Sequence, residues 1–169
     1  LLNTHLTANE IQEQLTELDV ELLIASDQQT YPADLSFSDI HSLETRTAVL
    51  NWQPAPEKIA VIMNTSATTG KFKSVPITWK MLGAHVAASA ATMGVLPEDN
   101  WLVVLPMFHV SGLSIIMRSL YNATQATIRA SFDEEELIKL MNNSSVNMVS
   151  MVPTMLKRVH DKIAAESLR

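Results

Sequence analysis

Two spacings of apolar residues run along this chain, one helical and one extended. Thr7-Ala8-Asn9-Glu10 has the spacing of a capping box, and Ile11, Leu15 and Leu18 then recur at helical intervals, so a helix is predicted to about Leu18. Val20-Glu21-Leu22-Leu23-Ile24 reads as a short buried strand. Residues 26–56 carry Pro32, Pro54 and Pro56 among Asp, Gln and Ser, and read as an excursion with little regular structure. Within it, Phe37 to Leu43 suits a short strand or a turn of helix equally. Lys58 to Met63 is a strand, and Val75-Pro76-Ile77-Thr78 follows with a proline that favours an edge or a strand start.

Thr78 can cap a helix from Trp79 to about Met93, and Ala84, Ala87, Ala88, Ala90 and Ala91 would let that helix sit close to a sheet. Pro97 to Asn100 is a turn, Trp101 to Leu105 a buried strand, Ser111 to Tyr121 an apolar helix, and Ala126 to Arg129 a strand. Asp133 opens a helix whose first turn holds Glu134, Glu135 and Glu136. Carboxylates there oppose the macrodipole favourably, which accounts for the run without a metal. Val146 to Val152 is a further strand, and Pro153 opens the last helix. Strands alternating with helices predict an α/β fold, a mostly parallel sheet with crossover helices.

Composition narrows the picture. A chain of 169 residues, 47% hydrophobic and 18% charged, supports one globular domain over 1–169 with a real core. The net charge of −6 and the lack of a Lys/Arg stripe argue against a nucleic-acid surface. With no cysteine, disulfides, thiolate catalysis and Cys-ligated zinc are excluded. No apolar run of about 18 residues and no basic-then-apolar leader is present, so a cytoplasmic location is expected. The sequence opens on Leu1-Leu2-Asn3 and stops at Ser167-Leu168-Arg169, so a piece of a longer protein is expected.

Two loops concentrate chemistry. Thr65-Ser66-Ala67-Thr68-Thr69-Gly70-Lys71-Phe72-Lys73-Ser74 follows the apolar run Ile59 to Met63. Its hydroxyls, backbone N–H groups and ammonium groups are donors suited to a polyphosphate, although a surface loop can carry the same residues for solubility. A Walker A loop ending at Gly70-Lys71 would need Gly at 65 and Ser or Thr at 72, and the chain has Thr65 and Phe72. The second loop, Leu105-Pro106-Met107-Phe108-His109-Val110-Ser111-Gly112-Leu113, ends a buried strand, where open α/β sheets hold their ligands. Seen alone, His109 between Phe108 and Val110 is more often a packing histidine. His85 reads as structural or solvent-facing, Trp101, Met151 and Met155 as packing residues, and neither His41 nor His160 has a partner at metal spacing.

Together these segments resemble the adenylate-forming enzymes: acyl- and aryl-CoA synthetases, luciferases and peptide-synthetase adenylation domains. The first loop is similar to that family's Thr/Ser-Ser-Gly-Thr/Ser-Thr-Gly-x-Pro-Lys-Gly. Leu105 to Leu113 looks like a second family motif, and Leu1 to Thr7 with Glu10 and Leu15 resembles a segment ending in Asn-Thr-Arg-Leu. Asn100-Trp101-Leu102, Leu105 to Leu113 and Val152-Pro153-Thr154-Met155-Leu156 favour a branch of acid–CoA ligases in menaquinone biosynthesis. The resemblance covers essentially the whole chain, as part of an N-terminal AMP-binding domain. It implies an aryl or acyl carboxylate, ATP with Mg2+, and CoA as small-molecule partners, and leaves homo-oligomerisation open. It also implies that Thr65, Ser66, Thr68, Thr69 and Gly70 wrap the β- and γ-phosphates, with Lys71 and Lys73 adding charge. His109 would be the catalytic residue, standing between acid pocket and nucleotide, with Ser111 and Gly112 on the substrate side and no metal ligand in this chain.

The chain departs from the pattern. Ala67 stands for a glycine, Phe72 for the proline, Ser74 for a glycine and His5 for the arginine. An alanine at a left-handed position would cost roughly 1 kcal/mol or more. A non-catalytic nucleotide- or ligand-binding relative with a degenerate phosphate loop is therefore the rival expectation. The family's Tyr-Gly-x-Thr-Glu segment, ribose Asp and C-terminal lysine domain do not occur here, so this segment alone is expected to be inactive.

Overall fold

The computed structural model describes residues 1–25, 34–36, 39, 55–65 and 72–167, and these fall in two units, Leu2–Gln53 and Pro54–Arg169. In the first unit, helix α1 (Ala8–Glu17) starts on the expected capping box. The Thr7 N–H donates to the Glu10 carboxylate at 2.8 Å, and the Glu10 N–H returns to the Thr7 hydroxyl at 3.4 Å. Those Thr7 bonds hold the Glu10 carboxyl below its ordinary range.

The helix ends in a Schellman arrangement. Asp19 takes a left-handed φ of 49°, its N–H bonds to Thr16, and the Val20 N–H bonds to Leu15 at 3.1 Å. This corrects the expected buried strand over Val20 to Ile24. The Val20 amide belongs to the helix cap, and Val20, Leu22 and Ile24 are 43%, 51% and 43% exposed. The strand begins only at Ile24: β1 (Ile24–Ala25) pairs in parallel with β2 (Leu35–Ser36). The undecided segment Phe37 to Leu43 lies outside the described residues except for Asp39, which accepts from the Ser36 N–H and hydroxyl at 2.7 Å.

The second unit opens with β3 (Ile59–Thr65) and β4 (Lys73–Thr78). They pair antiparallel, from Ile59 opposite Thr78 to Thr65 opposite Lys73, with a register shift between Ile59 and Val61. A parallel return needs a crossover of about a dozen residues or more, and only residues 66–72 separate the two strands, so here the expected parallel rule fails. Pro76 sits opposite Ile62, and among the described residues neither strand has a further partner.

Thr78 caps α2 (Trp79–Met93) through the Met81 N–H at 3.2 Å, as expected. The alanine face does not lie against a sheet. Leu82 and Val86, four residues apart, are the buried positions of α2, which packs on α3 (Val110–Asn122), while Ala84, Ala87, Ala88 and Ala91 are exposed. The larger side chains take the packed stripe because each buries several times the apolar area of a methyl group.

The centre of this unit is the parallel sheet β6 (Gln125–Ile128), β5 (Asn100–Val103), β7 (Met148–Val149), with β5 in the middle. Alternation along the buried strand and its continuation sends side chains to two cores. Trp101 and Val103 meet Ile115 of α3 on one face. Leu102 and Val104 meet Leu137 of α4 (Glu134–Asn142) and Val159 of α5 (Pro153–Ser167) on the other. Asp133 caps α4 by accepting from Glu136 at 2.7 Å. The acidic first turn is salt-bridged: Glu134 to Arg158 at 2.6 Å, Glu136 to Arg129 at 2.5 Å, and Glu135 to Lys162. β7 is shorter than the predicted Val146 to Val152. Its partner residues are Trp101 and Leu102, and the Val152 carbonyl already accepts from Met155 and Leu156 at the start of α5.

Candidate functional site

Beyond Val103 the chain stays buried through Val104 and Leu105 and then surfaces at Pro106 and Met107. A tight turn closes with the His109 N–H on the Pro106 carbonyl at 3.1 Å. The His109 carbonyl then accepts from both Gly112 and Leu113 at 3.1 Å, so His109 is the N-cap of α3. Its backbone is extended (φ −105°, ψ 146°), and its imidazole makes no capping hydrogen bond. The ring is exposed, tilted at 57° against Phe108 with centroids 4.6 Å apart. An exposed imidazole therefore stands beside the positive end of a 13-residue helix, where negative charge is favoured.

Ser111 is exposed on the first turn of α3, and its carbonyl is held by the Ser114 hydroxyl at 3.0 Å. Gly112 is buried under the loop. It carries no side chain toward solvent, and backbone carbonyls of Leu105 and Pro106 crowd its Cα.

In the hydroxyl-rich loop, Ser66, Ala67, Thr68, Thr69, Gly70 and Lys71 lie outside the described residues. Its two flanks are described. Thr65 and Lys73 are the last pair of the hairpin, both exposed, with the Thr65 hydroxyl on the Lys73 carbonyl at 3.4 Å. Lys73 has no ion pair among the described residues, unlike Lys80, Lys157 and Lys162. Ser74, in place of a glycine, donates its hydroxyl to Asn64 at 2.9 Å and ties the strands together just before the loop.

The opposite end of β5 carries a polar network beside the expected turn at Pro97 to Asn100. Buried Asp99 accepts from the Leu96 N–H at 2.9 Å and from the Asn147 amide at 3.0 Å. Asn147 accepts from the Asn100 N–H at 2.8 Å, and Asn100 bonds Ser145 and Thr127. Next to it, Arg118 lies over the buried Trp101 ring at 4.6 Å and bonds the Ser114 carbonyl and hydroxyl. Its burial lowers the guanidinium pKa, although arginine stays charged. A nook lined by Asp99, Trp101 and Arg118 together with Met93, Asn122 and Thr124 has about 10 Å³ of free volume, room for a single water. Asp99 four residues before Val103 carried no local sign of this role, because its partner Asn147 is 48 residues away.

Among the described residues no group of three or more His, Asp or Glu side chains is placed to hold a metal, and no helix is long and apolar enough to cross a membrane. His85 and His160 are exposed, so of the two places expected for His85 the structure gives the solvent-facing one.

A family model described as AMP-binding enzyme matches residues 1–169. The 2-succinylbenzoate–CoA ligase of Lactococcus lactis subsp. lactis (strain IL1403) is 54% identical over 171 residues, taking in 100% of this chain and 38% of that protein. Two solved structures of the Bacillus subtilis o-succinylbenzoate coenzyme A synthetase superpose with a TM-score of 0.86 at 27% identity. One is the complex with ATP and magnesium ion, covering 94% of this chain and 35% of that one. The other is the complex with the acyl-adenylate intermediate OSB-AMP, covering 95% and 44%. The chain thus spans well under half the length of these relatives.

Proposed function

The chain belongs to the AMP-binding enzyme family, and from that premise we propose that the complete protein is an AMP-forming 2-succinylbenzoate–CoA ligase, with this chain as part of its N-terminal AMP-binding domain. The observation that carries the reading is the 54% identity to the Lactococcus ligase along the whole chain. The exposed imidazole of His109 at the helix terminus supports it.

In this reading a carboxylate oxygen of o-succinylbenzoate attacks the α-phosphate of ATP. The bond to the β-phosphate bridging oxygen breaks, leaving acyl-adenylate and pyrophosphate. The CoA sulfur then attacks the acyl carbon, and AMP departs. Both steps pass through crowded negative charge, which positioned donors and cations stabilise. Thr65, Ser66, Thr68, Thr69 and Gly70 would supply hydroxyl and backbone donors to the β- and γ-phosphates, and Lys71 and Lys73 the positive charge. The exposed ammonium of Lys73, without a carboxylate partner among the described residues, fits that task. His109 would donate from its imidazole to the acid or the developing oxyanion, with Ser111 beside it and the α3 terminus adding its partial charge. Mg2+ would enter with ATP. A cytoplasmic location accords with ATP and CoA as substrates.

The test is CoA-thioester formation by the complete protein from o-succinylbenzoate, ATP, Mg2+ and CoA, followed by thioester absorbance and AMP release. Product from this acid and not from benzoate is the expected result; no thioester from any carboxylate removes the ligase reading. Ala67, Phe72 and Ser74 favour a second reading, a nucleotide-binding relative without turnover. Calorimetric binding of ATP with no thioester formed would select it.

A further inference from the structure

Gly112 is bare for a reason other than backbone freedom, since it lies within the first turn of α3. A Cβ built there would stand 2.3 Å from the Pro106 carbonyl oxygen, 2.5 Å from that of Leu105 and 2.6 Å from the Pro106 carbonyl carbon. All three are backbone atoms, so no side chain can swing aside to make room. The Pro106 carbonyl is also the acceptor of the His109 N–H, and the His109 carbonyl accepts the Gly112 N–H. The loop therefore closes on itself: residues 105–106 arch over Gly112, the arch holds the His109 amide, and His109 holds Gly112.

We propose that Gly112 is a positioning residue for His109, setting how far the imidazole stands out from the end of β5 by letting the Leu105–Pro106 arch rest on its Cα. This deepens the ligase reading and rests on it for the acid. Gly112 acts on the carboxylate substrate through His109 and does not line the pocket itself. A methyl group at 112 must lift the two carbonyls or tilt the start of α3, and either movement carries His109 with it. Misplacement of a positioned group by about 1 Å can cost two orders of magnitude in rate.

The experiment is Gly112→Ala in the complete protein, with histidines labelled at the imidazole carbon and the His109 resonance assigned by its loss in His109→Gln. Without substrate, the His109 peak should move or broaden while those of His85 and His160, remote in sequence from the loop, stay in place. In turnover, KM for o-succinylbenzoate should rise about tenfold with KM for ATP unchanged, and Gly112→Ala should add little in the His109→Gln background. Should Gly112→Ala not fold, Pro106→Gly loosens the same arch without adding an atom and should move the same peak. An unmoved His109 peak in both variants overturns the proposal, as does an equal rise in KM for acid and ATP. Should the wild type turn over no carboxylate, the ligase reading fails while the His109 peak still decides the geometric coupling.

Discussion

The two ends of strand β5 are built to opposite rules. At its start, Asp99, Asn100, Asn147, Thr127 and Ser145 bond one another across three strands, and the buried carboxylate of Asp99 has a donor on each oxygen. At its far end, the chain emerges from a core in which Ile115 is 0% exposed and presents an exposed imidazole with no capping bond. Polar groups at the first end are consumed in fixing which residues of β6 and β7 face β5. At the second they are left available. A parallel sheet held in register at one end can offer its other end to a ligand, which is the arrangement expected of open α/β folds.

The contrast can be broken at either end. The largest effect on stability is expected from Asn147→Ala. It strips a donor from Asp99 and the acceptor from the Asn100 N–H, and should lower the unfolding free energy by about 2–3 kcal/mol in urea titration, with KM values of the remaining folded protein unchanged. His109→Ala should do the reverse. Thioester formation should fall about a hundredfold, while stability stays within about 0.5 kcal/mol because the ring is exposed and makes no cap. A large loss of stability in His109→Ala would mean that both ends are structural. Ser111→Ala is expected to change turnover only a few-fold, about 0.5–1 kcal/mol for a neutral hydroxyl donor.

The smallest effect sharpens the comparison near the open end, where the acidic start of α4 follows β6. The Arg158 hydrogen bond holds the Glu134 carboxyl below its ordinary range. A depressed carboxyl contributes stability above its unfolded pKa and loses it as pH falls through its folded pKa. The stability difference between wild type and Arg158→Met should therefore be present near pH 7 and close below the usual carboxylate range, as read from urea midpoints at both pH values. A difference that persists at low pH would assign the effect to the Arg158 guanidinium, which lies over the Phe132 ring at 5.2 Å.

Local signals were legible in the sequence wherever one turn decides the structure. Thr7 with Glu10, Thr78 and Asp133 each cap the helix expected of them, because a cap and its amide are three residues apart, and Pro153 opens the last helix, where a missing N–H costs nothing. The buried run at Trp101 was equally plain, since a strand covered on both faces has no polar alternation. What escaped depends on partners far along the chain. Asp99 and Asn147 are 48 residues apart, and nothing near either announces the bond. The antiparallel hairpin was hidden by the strand–helix alternation that governs the rest, although the short 66–72 connection contained the answer. The alanines of α2 suggested close packing, yet Leu82 and Val86 took the contact. Of the candidate site, the place of His109 in a loop after a buried strand was legible, while its role rests on the family resemblance. The roles of Ser66 to Lys71 rest on that resemblance and on the chemistry of their donors.

The central claim is that the His109 end of the sheet holds a carboxylic acid for transfer to adenylate. Exchange of labelled pyrophosphate into ATP, measured on the complete protein with and without o-succinylbenzoate, tests it most directly. The account predicts exchange that requires the acid and that in His109→Ala demands a much higher acid concentration. Exchange indifferent to the acid, or fully retained in His109→Ala at the same acid concentration, would contradict it.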